Sequence, residues 1–252
     1  MMSAWEYIRR IVAVRKCVSC RAILRYDDFD ESFCPTCKLS WQSAKVENCP
    51  ECYKAATECT CMPKQLSSAG ALTLRRLFFY SPKRENEPQN KLIYFLKHHK
   101  NARASRFVAS QLAKLIPSEL DTLGIDKSEL LVVNIPRGRA AVLNYGFDQA
   151  AEISRELAKI LGASYLPVIR RRRGGSEQKK LSAVARKKNI KDSTYIKECD
   201  KERVSGKYIL LVDDIVTTGA SMSVALAHLR RAGAKGVICL AVASDLKKEI
   251  EK

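Results

Sequence analysis

The chain has 252 residues, with 45 Lys and Arg against 27 Asp and Glu, for a formal net charge of +18. That length allows one medium domain plus a small one, and no apolar run approaches membrane-spanning length, which excludes a chain built around transmembrane helices. The charge is uneven: residues 1–70 hold ten basic and eight acidic side chains, so residues 71–252 carry a surplus of 18 − 2 = +16, pointing to polyanionic partners such as phosphorylated metabolites or nucleic acid.

Trp5, Ile8, Ile11 and Val12 share the spacing of a short amphipathic helix, expected to pack on the protein's own body, with a membrane-surface role as the alternative. The segment WEYIRRIVAVRK is broken by charge and lacks the continuous apolar core of a signal peptide. Eight of the ten cysteines follow, between Cys17 and Cys61. With no export signal ahead of them, a cytoplasmic, reducing setting is expected, and clustered cysteines read as metal ligands before disulfides. Their order is Cys17-x-x-Cys20, Cys34-x-x-Cys37, Cys49-x-x-Cys52 and Cys59-x-Cys61. A two-residue spacer turns both sulfurs onto one tetrahedral ion, and four thiolates close a structural zinc site with no open position. One or two zinc ions are expected, held by Cys17/Cys20/Cys34/Cys37 and by Cys49/Cys52/Cys59/Cys61, with a crossed pairing as the alternative. Metal would supply the folding free energy of so small a segment. Its near-neutral charge fits a structural or docking role as well as nucleic-acid contact.

Residues 62–70, MPKQLSSAG, have linker composition and divide a module at 1–66 from a body at 67–252. Leu72 to Tyr80 reads as strand. Leu92, Ile93 and Leu96 make a helix face ending in Lys97, followed by two histidines, His98 and His99, expected at the surface. Asn101 opens a second helix whose apolar positions run to Ile116, with Pro117 as its stop. Glu129 to Ile135 is a buried strand that leads into Pro136-Arg137-Gly138-Arg139, where Arg137 and Arg139 suit bidentate grips on phosphate oxygens. Residues 148–161 are helical, and Tyr165 to Ile169 is a strand. From Arg170 to Lys191 ten bases face the single acid Glu177. The glycine pair 174–175 makes this stretch, with Arg171, Arg173, Gln178 and Arg186, a flexible loop able to close over a polyphosphate or guide a nucleic-acid strand. A solvated charged loop is the plainer alternative.

The most informative stretch is ILLVDDIVTTGAS, residues 209–221. Ile209 to Val212 is short and branched, as in a buried parallel strand. Asp213 and Asp214 come where the strand leaves the sheet. Ile215 and Val216 lead to Thr217, Thr218, Gly219, Ala220 and Ser221, after which Met222, Ala225, Leu226 and Leu229 mark one helix face. Unpaired N–H groups at a helix start, hydroxyl donors and a glycine that permits close approach make a phosphate cradle. The acids repel phosphate and suit instead two ribose hydroxyls or a metal bridging them to a second phosphate group. Strand 237–242 follows. Cys239 within it reads as core, and neither Cys239 nor Cys199 reads as a nucleophile.

That stretch closely resembles the signature of type I phosphoribosyltransferases, which bind phosphoribosyl pyrophosphate (PRPP). With the cysteine module, Leu92 to Lys97 (LIYFLK), Gly146-Phe147-Asp148-Gln149 and Gln178-x-x-Leu181 followed by Arg186 and Asn189, the whole chain resembles the ComF family of phosphoribosyltransferase-fold proteins, which are linked to DNA uptake. The resemblance implies an α/β type I phosphoribosyltransferase fold, a mainly parallel twisted sheet flanked by helices behind a small zinc module. It also implies PRPP with Mg²⁺ as ligands, Asp213 and Asp214 as catalytic residues, residues 213–221 as the PRPP site, and Arg137, Gly138 and Arg139 at the pyrophosphate. Implied partners are PRPP, single-stranded DNA and competence proteins such as a DNA helicase. The chain departs from the family where Asn134 replaces a usual proline, and where Tyr145 and Asp148 replace a usual arginine and asparagine.

Overall fold

The computed structural model describes residue 8 and residues 12–25, 27–28, 31–172 and 194–245. Trp5 and Ile11 of the leading segment, and Arg173, Gln178 and Arg186 of the basic loop, lie outside the described residues. In chain order the elements are α1 (Pro35–Lys45), α2 (Lys64–Ala69), β1 (Thr73–Tyr80), α3 (Pro88–His98), α4 (Ala102–Ala113), α5 (Ile116–Leu123), β2 (Leu130–Asn134), α6 (Arg139–Tyr145) and α7 (Gln149–Leu161). Then come β3 (Ser164–Tyr165), β4 (Ile169–Arg171), β5 (Thr194–Ile196), α8 (Glu198–Val204), β6 (Tyr208–Val216), α9 (Ala220–Arg231) and β7 (Gly236–Asp245).

Five strands pair in parallel in the order β1-β7-β6-β2-β3, and β4 and β5 form a separate antiparallel pair. Central strands are apolar on both faces because helices cover both. Along β6, Leu210 and Val212 enter one core while Ile209 and Leu211 enter the other, and β2 and β7 split the same way. The first core is filled from α1, α3, α4, α5 and α7, the second from α2, α8 and α9. Cys239 is core, as expected, and burial pushes its thiol up to about 12. No helix among the described residues is long and apolar enough to cross a membrane.

Four sequence expectations are corrected. The stretch 62–70 is not a free linker: Lys64–Ala69 is helical, and its Leu66 is fully buried against α9. Pro117 does not simply end α4; it sits in the first turn of α5, where its missing N–H costs nothing. Tyr165 to Ile169 is not one strand, since Tyr165 ends β3 on the main sheet and Ile169 begins β4 of the small pair, with Pro167 between. Finally, β6 does not end at Val212. It stays paired with β7 as far as Val216↔Ser244, whereas pairing with β2 stops at Asn134↔Val212.

The cysteine segment packs on this body. Cys17, Cys37, Phe33 and Trp41 join Phe78 and Phe107 in the first core, with the Trp41 ring 5.4 Å from both, edge-on to Phe78 and tilted to Phe107. Cys49, Cys59 and Ala56 pack on Phe79 of β1. Two adjacent arginines of β1 fasten the second cysteine group to the sheet. Arg75 donates to the Thr57 carbonyl at 2.7 Å and pairs with the nearly buried Glu119 at 3.0 Å. Arg76 donates to Cys59 Sγ at 3.3 Å and to the Cys61 carbonyl.

Candidate active site and metal centres

The loss of the β2 partner after Val212 opens the corner. Beyond that point β6 has β7 on one side only, so Asp213 and Asp214 stand at a free edge at the carboxyl end of the sheet, where parallel α/β folds place their ligands. The alternation of β6 also breaks here: Ile215 joins the first core and Val216 the second. Each carboxylate curls back on the chain, Asp213 Oδ1 accepting from Asp214 N at 2.8 Å and Asp214 Oδ1 from Ile215 N at 2.7 Å. Burial, then the neighbouring Asp214 charge, hold the Asp213 carboxyl well above the usual carboxylate range.

Asp214 has partners from distant parts of the chain. Its Oδ2 accepts from Gln149 Nε2 at 2.9 Å and lies 3.6 Å from Lys97 Nζ. Lys97 comes from the end of α3 and Gln149 from the start of α7. Sequence reasoning missed that Lys97 meets the acid pair; its place at the end of the LIYFLK helix was the available signal.

The turn that follows is shaped by its glycine. Gly219 has φ +75, caps α9, and lies so close to α2 that a Cβ there would sit 2.8 Å from Leu66 Cγ. A side chain would therefore meet both backbone strain and a buried leucine. Thr217 and Thr218 are exposed, and Thr218 Oγ1 accepts from Ala220 N at 3.4 Å.

On the β2 side, the loop 135–138 leads into α6, a short helix the sequence reading did not anticipate. Arg137 turns inward: its guanidinium donates to the Lys97 carbonyl at 2.7 Å and lies 4.7 Å from the centre of the Tyr145 ring. Arg139 is exposed at the start of α6. Arg171, on β4, donates to the Pro136 carbonyl at 2.9 Å, tying the small strand pair to this loop. Asp148 caps α7 through Ala151 N at 3.1 Å and accepts from Arg137 N at 2.7 Å. Asn134 Nδ2 lies 3.5 Å from the same Asp148 carboxylate, and Asn134 Oδ1 accepts from Tyr165 OH at 2.9 Å. Two of the departures from the family pattern, Asn134 and Asp148, thus meet each other. Desolvation pushes the Tyr165 hydroxyl up to about 12, which keeps it a donor in this network.

The cysteines converge as two sets, Cys17/Cys20/Cys34/Cys37 and Cys49/Cys52/Cys59/Cys61, with the sulfurs of each within 4.8 Å of one another. Sulfurs on a zinc ion stand about 3.8 Å apart, and the pairs Cys20–Cys34 and Cys52–Cys59 are both 3.6 Å apart. The second set has an independent sign of anionic content. Arg76 is 3% exposed, and its guanidinium rests on Cys59 and the Cys61 carbonyl with no carboxylate within ion-pair distance among the described residues. A buried cation needs a counter-charge, and a divalent ion held by four thiolates carries a net charge of about −2.

The phosphoribosyl transferase domain model matches residues 106–252, more than half of the chain, and the chain belongs to that family. With its cysteine module ahead of the transferase domain, it is a ComF-type member. It is 26% identical to the DNA utilization protein YhgH of Escherichia coli (strain K12) over 214 residues, which are 81% of this chain and 86% of that one. It is 27% identical to the competence protein ComFC of Streptococcus pneumoniae over 218 residues, 85% and 88% of the two chains. Among solved structures, glutamine PRPP amidotransferase from B. subtilis aligns with 61% of this chain at 17% identity and a TM-score of 0.42. The aligned region spans 30% of that enzyme. Phosphoribosylpyrophosphate synthetase from Mycobacterium smegmatis aligns with 54% of this chain and 33% of its own, at 20% identity and a TM-score of 0.35.

Proposed function

We propose that the chain binds PRPP with Mg²⁺ at the carboxyl end of β6 and transfers its phosphoribosyl group to an acceptor, releasing pyrophosphate, in the cytoplasmic handling of DNA taken up by the cell. In this reading residues 67–252 carry the site, and residues 1–66, with one or two zinc ions, buttress it. The observation that carries it is the one corner holding the acid doublet, Lys97 and Gln149 on Asp214, and the open turn from Thr217 to Ser221.

The turn 217–221 holds the 5-phosphate by backbone N–H groups and hydroxyls at the start of α9. Asp213 and Asp214 take the ribose hydroxyls or the metal on them, and Gln149 fixes the Asp214 carboxylate in place. Lys97 and Arg139 face the pyrophosphate side, while Arg137 shapes that side by holding the loop to α3. Bound Mg²⁺ would neutralise charge on the departing pyrophosphate. As the C1–oxygen bond lengthens the ribose becomes cation-like, and the two carboxylates favour that charge. In the paired variant Asp213→Asn/Asp214→Asn, pyrophosphate release from PRPP in the presence of acceptor should fall by about 100-fold or more; undiminished release would defeat the assignment.

A second reading makes PRPP a regulator of a single-strand-binding protein. It is favoured by an aromatic cluster in which the half-buried His98 lies 4.0 Å from the exposed Tyr94 ring, tilted to it, and 4.9 Å from the exposed Tyr145 ring, edge-on, with Arg137 over Tyr145. PRPP binding without pyrophosphate release, together with salt-sensitive DNA binding lost in Tyr94→Ala/Tyr145→Ala, would select it. DNA binding that ignores this pair would exclude it.

A further inference from the structure

The turn from Thr217 to Ser221 is backed by a helix that starts at the second cysteine set. From Cys61 only Met62 and Pro63 intervene before α2 begins at Lys64. Pro63 caps α2, its carbonyl accepting from Leu66 N at 2.8 Å. Leu66 is fully buried, and its side chain fills the space beside Gly219 where any larger residue would place a Cβ. At the far end of α2 the Ala69 carbonyl accepts from Arg230 at 3.0 Å, so this helix is pinned to both ends of α9. We propose that Leu66 is a positioning residue for the phosphate turn, and that through it the second zinc site and the ligand site strengthen each other.

This coupling rests on the PRPP reading and on what an anion site needs. A turn grips phosphate tightly when its N–H groups are held in place beforehand, because ordering them on binding costs affinity. Thr217, Thr218 and Ser221 are exposed, and the bond from Ala220 N to Thr218 Oγ1 is long, at 3.4 Å. Those contacts hold the turn loosely. Gly219 is buried instead, and the three atoms nearest to where its Cβ would lie all belong to Leu66. A glycine at φ +75 is free to leave that conformation in a loose chain. A leucine packed against it removes that freedom.

The module end of the link is equally fixed. Cys61 belongs to the second set, and Arg76 of β1 holds its carbonyl. Met62 and Ala69 pack beside Leu66 on the second core. With Pro63 between Cys61 and the helix, few soft torsions remain to absorb a shift of the cysteine. Loss of the ion would free Cys61, loosen the start of α2 and let Leu66 withdraw from Gly219. A ligand seated on the turn does the reverse, since coupling between two sites is reciprocal. The first set lies elsewhere. It packs through Cys17 and Cys37, with Phe33 and Trp41, in the core on the other face of the sheet, which Leu66 does not enter.

The test uses the full zinc-loaded chain, a zinc-selective chelator, and saturating PRPP with Mg²⁺. Zinc release is timed, and alkylation with mass spectrometry identifies which cysteines have opened. PRPP should slow opening of Cys49/Cys52/Cys59/Cys61 about fivefold or more, and that of Cys17/Cys20/Cys34/Cys37 by less than about twofold. Leu66→Ala should abolish the protection and weaken PRPP binding, measured by calorimetry well below its melting midpoint, about tenfold. Leu66→Met, which keeps the volume, should restore both to within about threefold of wild type. Equal slowing of the two sets would mean that PRPP acts through global stability alone, and would overturn the proposal. Wild-type PRPP affinity in Leu66→Ala would overturn it too. Should Leu66→Ala fail to fold, the comparison of the two sets in the wild-type chain still decides. Failure of the wild-type chain to bind PRPP would instead overturn the reading beneath it.

Discussion

Asp213→Asn should make the ligand-free protein more stable and its hold on PRPP weaker. The carboxyl of Asp213 is held above its usual range by burial and by the Asp214 charge, so the folded chain binds that proton more tightly than the unfolded chain does. The sign follows directly. Below the unfolded value, about 4, both states are protonated and the site costs nothing. As pH rises through the folded value the carboxylate must ionise where it is poorly solvated, and stability is lost. Asparagine escapes that cost. The gain over wild type should therefore be largest at the alkaline end of the range and shrink as pH falls toward about 4. With Mg²⁺ and PRPP the order reverses, because the ligand supplies the compensation that makes the acid useful, and the variant should bind about 10- to 100-fold more weakly. Thermal melts at several pH values, with and without ligand, measure both effects. A variant neutral in both would mark Asp213 as a solvated strand end.

Stripping zinc should have the other large effect, and it should not stay within the cysteine segment. Cys17 is fully buried and Cys37 nearly so, in the same core as Phe78 of β1, and Arg76 and Arg75 of the same strand hold the second set. Losing the ions would leave four thiols crowded at each site and a buried guanidinium without its counter-charge. Chelation, or Cys37→Ser, should lower the melting midpoint by about 10 °C or more, consistent with several kcal/mol in a chain of this size. The body would melt with the module in one transition. A midpoint unmoved by complete metal removal would show that the cysteines do not hold the fold.

The features legible from sequence are those whose physics is local. Ile209 to Val212 is a strand by its own composition, and the Thr-Thr-Gly turn before a helix needs no distant partner to be recognised. The two cysteine sets followed from ligand spacing, and their pairing in the structure is the uncrossed one. The missed features depend on contacts between distant segments. Lys97 and Asp214 meet across 117 positions in the chain. α2 has loop-like composition, and its place in the second core appears in the fold, where Leu66 is buried against α9 and Ala69 packs beside it. Arg76 reads as one more base in a basic chain until the fold sets it on Cys59. The extension of β6 past Val212 likewise reflects β7 pairing, which no property of Asp213 or Asp214 announces.

The most direct test is titration calorimetry of the zinc-loaded chain with PRPP, with and without Mg²⁺. Saturable one-to-one binding that strengthens with the metal and is lost in Asp213→Asn/Asp214→Asn is the expected result. No heat at millimolar PRPP, or binding indifferent to both acids, would contradict the account.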